Sequence, residues 1–241
     1  LREGKPIDQN TFNGDLCRAA AFIISQKTVI YRVLLHYICW APVVAFTEES
    51  IATGIFVWTW LLAARPDLSV LVMHEIKDVW DWSIHHGVGL FNSSVIPPSP
   101  LSIPKSTDDC FRIKEGLQFY ETTPSDPKPH CHLIDFLQER ITLVRKNDPS
   151  QMAIIQQMLL NAIADPTKFS QQANSLAVRF RLLLLCVNFV QAGPLTNRKI
   201  IELFMERIYA VAIDWFTKSP MWYDPGSRQA LENDVYVLID F

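Results

Sequence analysis

Residues 46–67 read FTEESIATGIFVWTWLLAARPD, and the fold turns on whether this stretch crosses a membrane or lies inside a protein core. From Ile51 to Ala64 it carries no charge, but it includes Thr53, Gly54 and Thr59 and falls short of the about 20 apolar residues that span a bilayer. Its ends are those of a globular helix. Thr47 is an N-cap type, and Glu48 and Glu49 suit the positive end of the helix dipole. Arg65 closes the last turn and Pro66 stops it. The stretch is therefore expected to be a buried core helix. The next most apolar run, Phe180–Val190, is broken by Arg181 and Asn188, so no other segment reaches transmembrane length.

The whole chain agrees with that reading. Its 241 residues are 49% hydrophobic, enough for a sizeable core in one or two domains. Net charge is −3, with Lys and Arg scattered rather than gathered into the basic stripe that nucleic acid or an anionic membrane attracts. The cysteines Cys17, Cys39, Cys110, Cys131 and Cys186 are odd in number and widely spaced. They read as small buried hydrophobes of a reducing, cytoplasmic compartment, not as a disulfide framework. The chain opens Leu-Arg-Glu without an initiator Met, signal peptide or lipidation motif, and it closes on VYVLIDF inside an apolar helical pattern. Both ends predict a piece of a longer protein.

Glycine is scarce and the periodicity is helical almost throughout. Helices are predicted near 13–25, 28–40, 47–65, 68–88, 130–146, 149–164, 171–191, 197–218 and 227–241. Asp148-Pro149 opens the 149–164 helix, and Pro166 ends it. The 171–191 helix is apolar almost all round, which predicts neighbours on most sides. Consecutive helices joined by short polar links predict an all-α fold, an irregular HEAT- or armadillo-like solenoid, with a compact bundle as the alternative. From 92 to 129 the pattern breaks into NSSVIPPSPLSIPKSTDD and further prolines, which read as a long Pro/Ser-rich loop in which Ser99 and Ser102 could accept phosphate. Three parts follow: a helical segment 1–91, the loop 92–129 and a helical segment 130–241.

The chemistry-bearing motifs are missing. HEIKD at His74 has Asp78 where a zinc protease needs a second His, and HCH at 130–132 has no companion cluster. His85 and His86 suit the last turn of a helix. There is no phosphate-cradling glycine motif, no kinase catalytic loop and no nucleophile elbow, so no catalytic, cofactor or metal residue is assigned. Two W-x-W pairs stand out, Trp58 with Trp60 and Trp80 with Trp82. On a helix i and i+2 point to different sides, so each pair offers one indole to each of two neighbours. Core packing is one reading, and a partner-binding surface of Phe56, Trp58, Trp60, Trp80 and Trp82 is the other.

Four strings in order, PVVAFTEESIATGIFVWTWLLAARPD (42–67), KPHCHLIDFLQERI (128–141), AVRFRLLLLCVNFVQA (177–192) and ERIYAVAIDWF (206–216), together resemble the type III alpha phosphatidylinositol 4-kinases in the helical region upstream of their kinase domain. The resemblance runs from about Cys39 to the C-terminal end. It implies a parent that transfers the γ-phosphate of ATP to the 4-hydroxyl of phosphatidylinositol, with ATP and Mg²⁺ bound in a kinase domain outside these residues. It also implies a peripheral enzyme at the cytosolic face of the plasma membrane, held by a tetratricopeptide-repeat scaffold, a hyccin-type subunit and a lipid-anchored recruiter, with self-association as a further expectation. No catalytic residue carries over. A free-standing helical-repeat scaffold without kinase activity is the alternative.

Overall fold

The computed structural model describes residues 8–26, 30–91, 128–166, 176–191 and 198–218. These form α1 (Gln9–Ser25), α2 (Arg32–Ala45), α3 (Glu48–Ala64), α4 (Ser69–His86), α5 (Lys128–Val144), α6 (Pro149–Ala162), α7 (Leu176–Gln191) and α8 (Arg198–Lys218), with 3₁₀ turns at Pro66–Leu68 and Gly89–Phe91. There is no strand among the described residues. The loop serines Ser99 and Ser102 and the helix expected at 227–241 lie outside them. Lys128 and Pro129, read as loop from the sequence, open α5.

The order of contacts defines the architecture. Neighbours in the chain pair as hairpins: α1 with α2, α3 with α4, α5 with α6 and α7 with α8. Alternate helices then stack, α1 on α3 on α5 on α7 in one layer and α2 on α4 on α6 in the other. Arg207 of α8 donates through Nη1 to Leu160 O of α6 at 2.7 Å and extends the second layer. Hairpins stacked in two layers are an α-solenoid, in which each repeat covers the open face of the one before. The two helical segments predicted on either side of the Pro-rich loop form one continuous stack, through α3·α5 and α4·α6.

The opening stretch is α3, and it is the hub of the stack, touching α1, α2, α4 and α5. Its start is a capping box. Thr47 Oγ1 accepts from Ser50 N at 3.1 Å, and Ser50 Oγ accepts from Thr47 N at 2.9 Å. Glu48 and Glu49 fill the first turn. No single described helix is long and apolar enough to cross a membrane. α3 and the segment after it pass on composition only as a pair, bent by 111°.

The sequence misjudges α2, which does not end before Pro42 but runs through it to Ala45. A proline inside a helix removes the N–H that would bond to the carbonyl four residues earlier, here Ile38 O. That carbonyl accepts from Trp58 Nε1 of α3 at 3.1 Å instead. The two helices are in close contact beside this bond, because a Cβ on Gly54 would sit 2.6 Å from Pro42 Cβ. Beyond Pro42, Phe46 takes a left-handed conformation (φ 46°) that ends α2, and its N–H donates to Pro42 O at 3.0 Å.

Arg65 fixes the other end of α3. Its Nη1 donates to Ile23 O of α1 at 3.1 Å, beside the bond this carbonyl accepts from Gln26 N, and also to Gln26 O at the C-terminus of α1. Its Nε and Nη2 hold Asp67 at 2.9 and 2.7 Å. The hydrogen bond from Arg65 keeps the Asp67 carboxyl below its ordinary range.

Gly54→Ala is expected to destabilise by about 1–3 kcal/mol, because the ring of Pro42 cannot move aside without shifting α2. Gly14→Ala is expected to stabilise by up to about 1 kcal/mol, because its Cβ meets only the mobile Arg18 guanidinium and Ala favours the helix. Urea unfolding of the two variants checks both signs.

Candidate functional site: an uncharged groove on the first layer

The five aromatics singled out from the sequence do not form one surface. Trp58 and Trp80 are buried in the core. Trp58 reaches α2 through its indole N–H and packs edge-on to Phe136 of α5, with ring centroids 5.6 Å apart. Trp80 donates from Nε1 to Met158 O of α6 at 2.9 Å and meets Phe91. Trp82 is half-buried and turns to Trp40 of α2 at 5.8 Å. The α4 pair therefore serves two neighbours, α6 and α2, as the i, i+2 geometry predicts. The α3 pair departs from it: Trp58 is fully covered, while Trp60 is 39% exposed and reaches solvent.

Phe56 is more open still, at 63%, and its ring lies 6.5 Å from that of Trp60. Phe56, with Trp60 one turn further along α3, lies at a groove between α1 and α3 that is lined by Asn13, Gly14, Cys17, Ala52, Thr53 and Phe56. The helix geometry explains it. At 3.6 residues per turn, the positions of α3 that meet α2 (Ser50, Gly54, Trp58) lie opposite Ala52, Phe56, Thr59 and Ala63. That outward stripe holds no charge after Glu49. Gly14 and Ala52 have little or no side chain, which leaves a trough with an aromatic wall. The nearest ion pair on α1 is Arg18 with Asp15, at 2.5 Å.

The groove carries no reactive constellation. Its cysteine, Cys17, is half-exposed and has no histidine or cation among the lining residues. Among the described residues no group of three His, Cys, Asp or Glu side chains is placed to hold a metal ion. His36 Nδ1 and Glu75 Oε2 are 3.0 Å apart, but they brace α2 against α4, and the His36 ring stacks on Trp40 at 4.6 Å. His74, the residue tested against the zinc motif, is exposed on α4. What this arrangement can do is bind: an uncharged trough with rigid aromatic edges suits an apolar protein segment.

Residues 1–239 match the family described as the PI4-kinase N-terminal region. The chain belongs to that family. This PI4-kinase N-terminal region is 29% identical over 242 residues to phosphatidylinositol 4-kinase alpha 1 of Arabidopsis thaliana, a match covering 92% of the chain and 11% of that relative. It is 20% identical over 222 residues to phosphatidylinositol 4-kinase stt4 of Schizosaccharomyces pombe, covering 92% of the chain and 12% of the relative. Phosphatidylinositol 4-kinase STT4 of Saccharomyces cerevisiae matches at 20% over 216 residues, covering 86% and 11%. The chain thus spans a small part of the length of each of these relatives, in their N-terminal portion and not in a kinase domain.

Sequence reasoning missed the groove because it needs α1 and α3 side by side. Its one sequence signal is the pairing of small residues, Gly14 and Ala52, with an aromatic four positions on at Phe56. The thiols give a direct check on the layer geometry. Burial, together with the Glu75 charge, pushes the Cys39 thiol well above its usual range, and burial pushes Cys186 up to about 12. In the PI4-kinase N-terminal region, iodoacetamide at pH about 8 is expected to label Cys17 and Cys131 first and to spare Cys39 and Cys186 until urea unfolds the chain. Peptide mass spectrometry reads the order.

Proposed function

We propose that this chain is the HEAT- or armadillo-type scaffold of a phosphatidylinositol 4-kinase, and that the α1–α3 groove is where a subunit of its complex docks. The parent transfers the γ-phosphate of ATP to the 4-hydroxyl of phosphatidylinositol, with ATP and Mg²⁺ held in a kinase domain beyond these residues. It works as a peripheral enzyme at the cytosolic face of the plasma membrane. Its partners are a tetratricopeptide-repeat scaffold, a hyccin-type subunit and a lipid-anchored recruiter, or a second copy of itself. The match of residues 1–239 to the N-terminal region of these kinases supports the parent. The exposure of Phe56 and Trp60 beside an uncharged trough supports the docking role, since large aromatics are enriched among the few residues that carry most of the energy of an interface.

In the full-length kinase, Phe56→Ser with Trp60→Ser is expected to weaken complex assembly by about thirtyfold or more, the loss of at least one hot spot. Activity on phosphatidylinositol in detergent micelles is expected to stay at the wild-type level. Assembly that survives the double substitution rules out the groove as the docking site. Loss of micellar activity at normal assembly instead makes these residues part of the catalytic unit.

A further inference from the structure

The groove between α1 and α3 is one side of a valley whose other side the fold already fills. α1 and α3 run side by side in the same direction, since Arg65 at the C-terminal end of α3 reaches Ile23 O at the C-terminal end of α1. On their inner side α2, returning from the end of α1, touches both. On their outer side the valley is open, with Asn13, Gly14 and Cys17 on one wall and Ala52, Thr53 and Phe56 on the other.

The walls decide what shape of chain can lie there. Asn13 Oδ1 already accepts from Gln9 Nε2 at 3.1 Å, and apart from Asn13, Cys17 and Thr53 the lining residues bring no hydrogen-bonding side chain. An extended segment would carry one N–H and one C=O per residue into a surface with no sheet edge to receive them. A helix satisfies its own backbone and presents only side chains. Gly14 and Ala52 make the trough shallow-walled and small, so the side chains that fill it are large apolar ones at i, i+4 and i+7 of the incoming helix.

One charge stands in line with the trough. Glu49 lies four positions before Thr53 and seven before Phe56, on the same stripe of α3. It is exposed and forms no ion pair among the described residues. The other charges nearby are engaged or turned away. Asp8 caps α1 through Thr11, and Arg18, which lies over Gly14, is held by Asp15. Glu48 is half-buried and about 100° round α3 from Glu49. Both helix N-termini stand at this end of the groove, so their dipoles favour an occupant that arrives with its C-terminal turn, as α2 does on the inner side.

Given the docking role of the groove, on which this rests, we infer that its occupant is an amphipathic helix of a partner subunit, antiparallel to α1 and α3, with large apolar residues in the trough and a Lys or Arg in its last turn beside Glu49. A cation in that turn suits its own helix dipole and the Glu49 carboxylate together.

Photo-crosslinking in the full-length kinase tests this, with p-benzoylphenylalanine in place of Phe56 or of Trp60 and with the tetratricopeptide-repeat and hyccin-type subunits co-expressed. Positions 56 and 60 are about 6 Å apart along α3. Over that distance a helix advances about four residues and an extended strand about two. Peptide mass spectrometry is expected to place the residue reached from 60 three or four positions before the residue reached from 56, in one segment of one subunit. Glu49→Gln is expected to weaken assembly about threefold at low salt and to have no effect at about 0.5 M salt. It leaves both aromatics in place, so it gives a readout even where a crosslinker disturbs assembly. A two-residue spacing, the reverse order, or crosslinks to a second copy of the kinase overturn the antiparallel partner helix and leave the groove as a docking site. Assembly indifferent to Glu49→Gln at every salt overturns the cation beside it. An assembled complex that gives no crosslink from either position overturns the docking role as well.

Discussion

One hydrogen bond governs how the solenoid closes. Pro42 removes the backbone donor that Ile38 O needs, and a buried carbonyl without a partner costs about 1–3 kcal/mol. Trp58 reaches across from α3 and donates to it at 3.1 Å. Because the donor is an indole, the same residue also fills the space between α2 and α5, where it meets Phe136. Gly54, one turn before Trp58, lets the Pro42 ring come close enough for the bond to form. Proline, glycine and tryptophan thus act as a unit: each would weaken a helix pair alone, and together they fix the distance and rotation of α3 on α2.

With α3 set in this way, its remaining contacts are constrained. Its C-terminus delivers Arg65 to the C-terminal carbonyls of α1, so the first hairpin is tied at both ends of the hub. Trp58 brings α5 onto the outer side of the second hairpin, while Trp80 does the equivalent work on α6 with its bond to Met158 O. The two layers advance together. The same rotation leaves Phe56 and Trp60 facing outward on one face of the slab, and Val33 and Tyr37 facing outward on the other.

Much of this was legible in the sequence, wherever the signal was local. Thr47, Asp148-Pro149 and the histidines at the end of α4 mark helix termini because capping acts within one turn. The interruption of the apolar run before bilayer length identified α3 as a core helix. Three features were not legible. α1 begins at Gln9, earlier than periodicity indicated, because Asp8 caps it by accepting from Thr11 N. α2 outlasts Pro42 because a residue twenty positions away replaces the missing donor. The 171–191 helix reads as central from its composition, and from Leu182 to Val190 none of its residues is exposed, yet the hub that touches four helices is α3. An even apolar distribution cannot say which neighbours arrive. The groove was hidden for a related reason, since half of its lining comes from α1 and half from α3.

The most direct test of this account is a double-mutant cycle between Pro42 and Trp58, read by urea unfolding. Trp58→Phe keeps most of the ring volume but removes the donor to Ile38 O. Pro42→Ala restores a backbone donor to that same carbonyl. If the indole bond compensates for the proline, Trp58→Phe costs about 1–3 kcal/mol in the wild-type background and clearly less in the Pro42→Ala background, a coupling of about 1 kcal/mol. Equal costs in the two backgrounds would contradict the account, and would reduce Trp58 to a buried ring whose hydrogen bond is incidental to the fold.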